Sequence, residues 1–208
     1  MTQLGKFITI EGQDGAGKST NIMVVEACLK EQGIDYLNTR EPGGTRLGEQ
    51  IRELLLSDGD DLIGDYAELL LMFAARAQHI DEVIEPALSS GQWVLCDRFT
   101  DATYAYQGGG RGIAMQRIAE LEQNVQGELR PDFTLLLDLP VEQGEQRAGD
   151  RSAPDRFEQQ QIDFKQRVRD CYLQRAAAEP NRIKVVDASA SMAQVEAAVI
   201  SVMQDFLR

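Results

Sequence analysis

The sequence predicts a doubly wound α/β fold on a five-stranded parallel sheet, and three observations carry that expectation. Apolar runs alternate with helical patterns along the chain, the order expected of parallel strands joined by helices. The runs are nearly continuous in hydrophobicity, as strands covered on both faces require. A glycine-rich stretch, GQDGAGKS, follows the first run directly, and ligands of such sheets bind outside the carboxyl ends of the strands.

The elements follow in order. FITIE (7–11) is the first strand and leads through the glycine-rich stretch into a helix over 17–32. IDYLNT (34–39) is the second strand, followed by a helix over 47–57 and a long one near 65–89. WVLCD (93–97) precedes DRFTDATYAYQGGGRG (97–112) and a helix over 115–126. FTLLLDL (133–139) is followed by helical patterns over 141–148 and 162–179, and IKVVD (183–187) is the last strand. In the tail, Ser191 suits an N-cap, with Val195, Val199, Val202 and Phe206 on one helical face. There is no internal repeat and no linker-like shift in composition, so the 208 residues read as one domain, 1–208, with its own core.

Composition narrows the function. A formal net charge of −13 argues against a nucleic-acid surface, which Lys and Arg would have to hold. It leaves room for a small phosphorylated ligand, which needs only local positive charge. Cys28, Cys96 and Cys171 show no CxxC spacing and read as reduced thiols rather than a metal or disulfide framework. The amino terminus enters a strand-like run at once, and the longest apolar run, LLLMFAA (69–75), is far too short to span a bilayer. The expectation is a cytoplasmic protein without membrane or nucleic-acid partners.

Within GQDGAGKS, Gly12, Gly17, Lys18 and Ser19 have the spacing GxxxxGKS. Glycines allow successive N–H groups to point inward at phosphate oxygens, and the dipole of the following helix faces the same anion. The stretch from Gly12 through Gly15, Ala16, Gly17, Lys18 and Ser19 to Thr20 is therefore the expected triphosphate cradle, with Lys18 on the β- and γ-phosphates and Ser19 on Mg²⁺. A chance glycine turn would lack the flanking strand and helix. No guanine-reading NKxD string occurs, so the second substrate is sought at the remaining strand ends.

Those ends carry TREPGGT (39–45), DRF (97–99) and AYQGGGRG (105–112). With GQDGAGKST, in this order and spacing, they resemble thymidylate kinase (dTMP kinase) of the bacterial type, from about residue 7 to the last strand. The resemblance implies a P-loop NTPase fold of the nucleoside monophosphate kinase kind, transfer of the γ-phosphate of ATP to dTMP with Mg²⁺, and a homodimer packed through helices, the long one near 65–89 among them. It implies that Arg98 and Arg52 hold the acceptor phosphate, which guanidinium forks suit, and that Asp97 lies near Mg²⁺ and the transferring group. Asp14 falls where the family approaches the sugar 3′-hydroxyl, and Glu41 near the phosphates and metal. Tyr106 falls beneath the sugar, and Thr103 and Gln107 at the base edge. Arg76 matches a donor to a thymine carbonyl. The family's aromatic platform stands four residues before that arginine. Here that position is Met72 and Phe73 follows it. Phe73 is the favoured stacking group because flat faces suit a base, with Met72 and its polarizable sulfur as the alternative.

Several residues have plainer readings. His79, the only histidine, is expected to be structural, Asp138 to end a strand, Trp93 to pack, and the GGG at 108–110 to form a turn that positions Gln107 and Arg111. The phosphate loop has no arginine between Gly12 and Gly17. In the resembling enzymes without one, a basic lid supplies it, and residues 146–159 occupy that place. Arg147 is assigned to the adenine-side wall, and Arg151 and Arg156 to the phosphates, where cations offset the developing charge. Two rivals share much of this reading: another nucleoside or nucleotide kinase, and a nucleotide-binding regulator without transfer activity.

Overall fold

In the computed structural model, which describes residues 4–57, 63–148, 156–157 and 160–208, the apolar runs form five strands. They are β1 (Phe7–Gly12), β2 (Tyr36–Arg40), β3 (Trp93–Asp97), β4 (Phe133–Asp138) and β5 (Ile183–Asp187). Every pairing is parallel and the order is β2-β3-β1-β4-β5. From central β1 the chain crosses to the edge strand β2, returns to β3 beside β1, and then passes to β4 and β5 on the other side. The switch point therefore lies at the carboxyl end of β1, where this topology opens a crevice. Register aligns the ends: Ile10 and Arg40 both pair with Asp97, and Gly12 pairs with Leu137.

Strand β2 begins at Tyr36, two residues later than the sequence suggests. The cause is the end of α1 (Lys18–Glu31). Gly33, at φ 66, donates to Lys30 O and Ile34 donates to Leu29 O, the closing bonds of a left-handed helix terminus. These residues are held by the helix and are not free to start the strand.

Between β2 and β3 lie α2 (Arg46–Leu56) and α3 (Asp65–His79). The long helix expected near 65–89 is continuous from α3 through a π-helical turn, Ile80–Ile84, into α4 (Glu85–Ser89). Pro86 has no N–H to donate backward, and the widened turn just before it takes up the interruption.

After β3, α5 (Thr100–Thr103) runs into a second π-helical stretch, Tyr104–Gly110. The GGG expected as a turn lies inside this stretch. Its glycines serve closeness to α8 (Ile162–Ala178). A Cβ on Gly109 would stand 2.7 Å from Cys171 Cβ, and one on Gly110 would stand 2.5 Å from the Phe164 ring. Real Cβ atoms do not approach so closely, so bare backbone is required there.

The remaining helices are α6 (Met115–Gln126), α7 (Val141–Ala148) and α9 (Met192–Leu207). Ser191 donates its hydroxyl to Gln194 Oε1 at 2.7 Å at the start of α9. Val195, Val199 and Met203 are buried there against α1 and the sheet. Alternate residues of β4 serve the two faces. Leu135 and Leu137 join the core under α1 and α9, while Leu136 joins the one formed with α3, α8 and Tyr104–Gly110. Trp93 packs edge-on to Phe206, and Asp138 receives both forks of Arg169 at 2.7 and 2.9 Å. Cys28, Cys96 and Cys171 are buried and unpaired. No helix among the described residues is long and apolar enough to cross a membrane.

Leu135 is fully buried at the middle of the sheet. Leu135→Ala should cost about 2–5 kcal/mol, the range for cavities left in tightly packed cores. Urea denaturation should show the loss as a lower midpoint with an unchanged slope.

Candidate active site

Two clefts open at the carboxyl ends of β1, β2 and β3. The first surrounds the glycine-rich loop and is lined by Asp14, Gly15, Gly17, Lys18 and Ser19, with Arg40, Glu41, Arg52, Asp97 and Arg98 facing them. Gly12 at φ 141 and Gly17 at φ 84 give the loop its path into α1, angles that side chains rarely tolerate. Lys18 Nζ lies 3.0 Å from Gly12 O and 3.2 Å from Gln13 O, folded over the loop it belongs to. Burial and the neighbouring Arg98 charge pull Lys18 below the usual lysine range, partly offset by Asp14 and Asp97. Gly12 and Ala16 are buried behind the loop. Thr20 is exposed and does not line the cleft.

The second cleft is lined by Met72, Arg76, Phe99, Ala102, Thr103, Tyr106, Gln107 and Phe157, with Pro42 and Leu56. Its mixed apolar and polar wall suits a small organic ligand. Glu41, Arg52 and Arg98 line both clefts, so the two sites meet along these three side chains.

Arg98 is the joint. It has φ 69, and its N–H donates to Ile10 O at 2.9 Å. Its guanidinium reaches Asp14 at 2.7 Å and Tyr106 OH at 3.2 Å, and stands over the Tyr106 ring. Burial alone would lower its pKa, but Tyr106 and Asp14 outweigh that and hold it well above the usual arginine value. Burial likewise opposes ionisation of Asp14, yet Arg98 and Lys18 bring it down to about 2. Arg52 donates to Pro42 O at 2.9 Å.

Glu41 is buried between two partners: Arg76 Nε at 2.8 Å and His79 Nδ1 at 2.9 Å. His79 also reaches Thr39 Oγ1 at 2.7 Å and is fully buried, so it shapes the site through Glu41 as a support. Arg76 Nη2 donates to Thr103 Oγ1 at 2.9 Å, while Nη1 is buried with no hydrogen-bond partner among the described residues. An orphaned donor on a cleft wall is a place for a ligand acceptor. Asp97 Oδ1 is orphaned in the same sense on the loop side.

Two expectations need revision. Phe73, favoured to stack on a base, is 2% exposed in the core, and Met72 lines the cleft instead. On a helix, residues four apart share a face, so Met72 accompanies Arg76 and Phe73 turns inward. Phe73 contributes by backing the Arg76 guanidinium, 4.8 Å from its ring centre. Arg156, assigned to the phosphates, is paired with the buried Glu68 and stands over the Phe157 ring. A carboxylate with no solvent contact requires such a cation. Arg147 is exposed, and donates to Ala188 O at 2.9 Å. Arg151 lies outside the described residues. The sequence reading passed over Arg40, although it stands in the TREPGGT segment at a strand end. Arg40 lines the loop-side cleft and pairs with Glu49 at 2.8 Å. Phe157 and Phe99 on the second cleft were also missed.

A glycine-rich phosphate loop at the switch point of a parallel sheet, joined through arginines to a second organic-ligand cleft, defines a P-loop protein built to hold two substrates together. The family model for thymidylate kinase matches residues 10–199. A thymidylate kinase of Ectopseudomonas mendocina is 58% identical over 203 residues, covering 98% of this chain and 97% of that one. One from Pseudomonas syringae pv. tomato is 59% identical over 203 residues with the same coverage. The crystal structure of thymidylate kinase from Ehrlichia chaffeensis superposes with a TM-score of 0.78 at 34% identity, covering 96% of this chain and 98% of that one. The chain belongs to the thymidylate kinase family.

Glu11, the last side chain before the loop, is fully buried and holds the start of the Arg98 segment. Phe99 N–H donates to its Oε1 at 2.7 Å and Tyr172 OH to its Oε2 at 2.8 Å. Burial first, and then the Asp101 charge, push its carboxyl up to about 8 against those two donors. A carboxyl raised in the fold stabilises fully below its unfolded value and loses that contribution as pH rises to the folded one. The window here runs from about pH 4.5 to 8, with a slope of up to about 1.4 kcal/mol per pH unit. Urea titrations between pH 5 and 8 should find Glu11→Gln gaining stability relative to wild type as pH rises. Parallel curves for the two proteins would contradict the assignment.

Proposed function

We infer that the protein transfers the γ-phosphate of ATP to dTMP, giving dTDP and ADP. The observation that carries this reading is the meeting of the two clefts along Glu41, Arg52 and Arg98, because in-line transfer needs both phosphates in one charged junction. Membership of the thymidylate kinase family supports the choice of substrates. An oxygen of the dTMP phosphate attacks the γ-phosphorus, and the bond to the β–γ bridging oxygen breaks as ADP leaves. Lys18 and the loop amides hold the β- and γ-phosphates. Arg98 and Arg52 hold the acceptor phosphate. Asp14, ionised throughout the physiological range, keeps Arg98 aimed. Arg76 Nη1 donates to a carbonyl of the base, Met72 covers the ring, and Tyr106 lies beneath the sugar.

The donor set fits Mg²⁺, a hard cation that takes oxygen ligands. The Ser19 hydroxyl and the orphaned Asp97 carboxylate would hold it, and it would neutralise charge on the donor phosphates. Arg151 is the remaining candidate for the cation the loop lacks, delivered by a lid at 146–159 within a single domain. A homodimer in the cytoplasm completes the reading. Leu47 and Leu54 on α2, with Tyr66 and Leu70 on α3, leave exposed apolar surface suited to a partner subunit.

A coupled ADP assay over dTMP, dUMP, AMP, GMP and CMP should find turnover confined to dTMP and dUMP. Selective use of any other acceptor would reject the base assignment. Arg151→Ala should lower kcat about 10²-fold or more, the scale for a lost transition-state cation. Arg156→Ala, which strips a partner from Glu68 beside the acceptor cleft, should act chiefly on the KM for dTMP.

A further inference from the structure

We propose that Glu68 is a positioning residue that sets base specificity by fixing which end of the Gln107 amide faces the acceptor cleft. The inference rests on reading that cleft as the base site. Glu68 lies on α3 with Met72 and Arg76, at successive four-residue steps of one helical stripe. It is fully buried and stands behind the cleft wall without lining the cleft itself.

Among the described residues, the partners of Glu68 are all donors. Gln107 Nε2 donates to Oε1 at 2.8 Å, Arg111 Nη2 donates to Oε2 at 3.1 Å, and Arg156 Nη2 donates to Oε2. A carboxylate has acceptors only. The end of the Gln107 amide turned toward it must therefore be the NH₂, which leaves the carbonyl oxygen for the cleft that Gln107 lines. Without Glu68 nothing in this set distinguishes the two ends, since an amide can turn about its last torsion and exchange donor for acceptor.

The orientation has a chemical consequence. Arg76 lines the same cleft and has in Nη1 a donor with no hydrogen-bond partner among the described residues, and Gln107 supplies an acceptor. A base with a ring carbonyl beside a ring N–H matches that pair, as thymine and uracil do. Cytosine presents an amino group and an unprotonated nitrogen there and meets donor with donor and acceptor with lone pair. A site built to bond one pattern rejects the other because its buried groups are left unmatched.

The test compares kcat/KM for dTMP, dUMP and dCMP at saturating ATP in wild type, Glu68→Gln and Glu68→Asp. Glu68→Gln can accept or donate, so the Gln107 amide is freed to turn. The dTMP-to-dCMP ratio should fall about tenfold or more, while the dTMP-to-dUMP ratio stays as in wild type, because both bases carry the same N–H. Glu68→Asp keeps the charge that Arg111 and Arg156 engage but reaches less far, and should show the same shift in smaller measure, so it carries the test should Glu68→Gln not fold. An equal loss on all three acceptors, or unmoved ratios in a folded variant, would overturn the proposal and leave the function standing. Wild-type preference for dCMP would overturn both.

Discussion

Everything at the meeting of the two clefts depends on one guanidinium being held at the end of β3. Arg98 takes a left-handed backbone conformation, uncommon for a residue with a side chain, and such strain persists only where neighbours over-determine it. Two main-chain N–H groups do so, Arg98 N–H donating to Ile10 O and Phe99 N–H donating to the Glu11 carboxylate. The turn they fix throws the side chain across the sheet toward the phosphate loop, where Asp14 meets it. The parallel register supplies the foundation, since Asp97 stands opposite both Ile10 and Arg40.

Burying charge beside that joint has consequences further out. Asp101, two residues past Phe99, is nearly solvent-free and is neutralised by Arg175 and Arg182, both within 2.8 Å. Glu41 is matched by Arg76 and His79, and Glu68 by Arg111 and Arg156. Each carboxylate is ringed by donors from distant parts of the chain, so a protein with an excess of acid spends many of its arginines inside. Those arginines fasten α3, α8 and the β3 connection to one another as well as shaping the clefts.

The strands were legible because both-faced burial leaves continuous apolar runs, and the loop because GxxxxGKS constrains backbone and charge together. The order TREPGGT, DRF and AYQGGGRG located the second cleft for a similar reason, since strand ends are where this topology places ligands. What the chain did not disclose depended on tertiary partners. The rotation of α3 that puts Met72 and not Phe73 on the cleft follows from Phe73 joining the buried core that includes Leu69, Tyr104 and Val168. The tie of Arg156 to Glu68 links residues 88 positions apart, and nothing local announces it. The glycine run looked like a turn because turns and close helix contacts ask for the same residue.

That glycine run also sets how stiff the Gln107 wall of the second cleft is. Where α8 lies on Gly109 and Gly110 the contact is side chain and carbonyl against naked main chain, with Arg167 donating to both glycine carbonyls. No rotamer change on the glycine side can absorb a displacement. The height of Gln107 over the acceptor cleft is thus inherited from the axis of α8, as a keystone inherits its seat from the pier. Tolerances there are those of a backbone, so volume added anywhere along this seam would be felt at Gln107 before it was felt as a loss of fold.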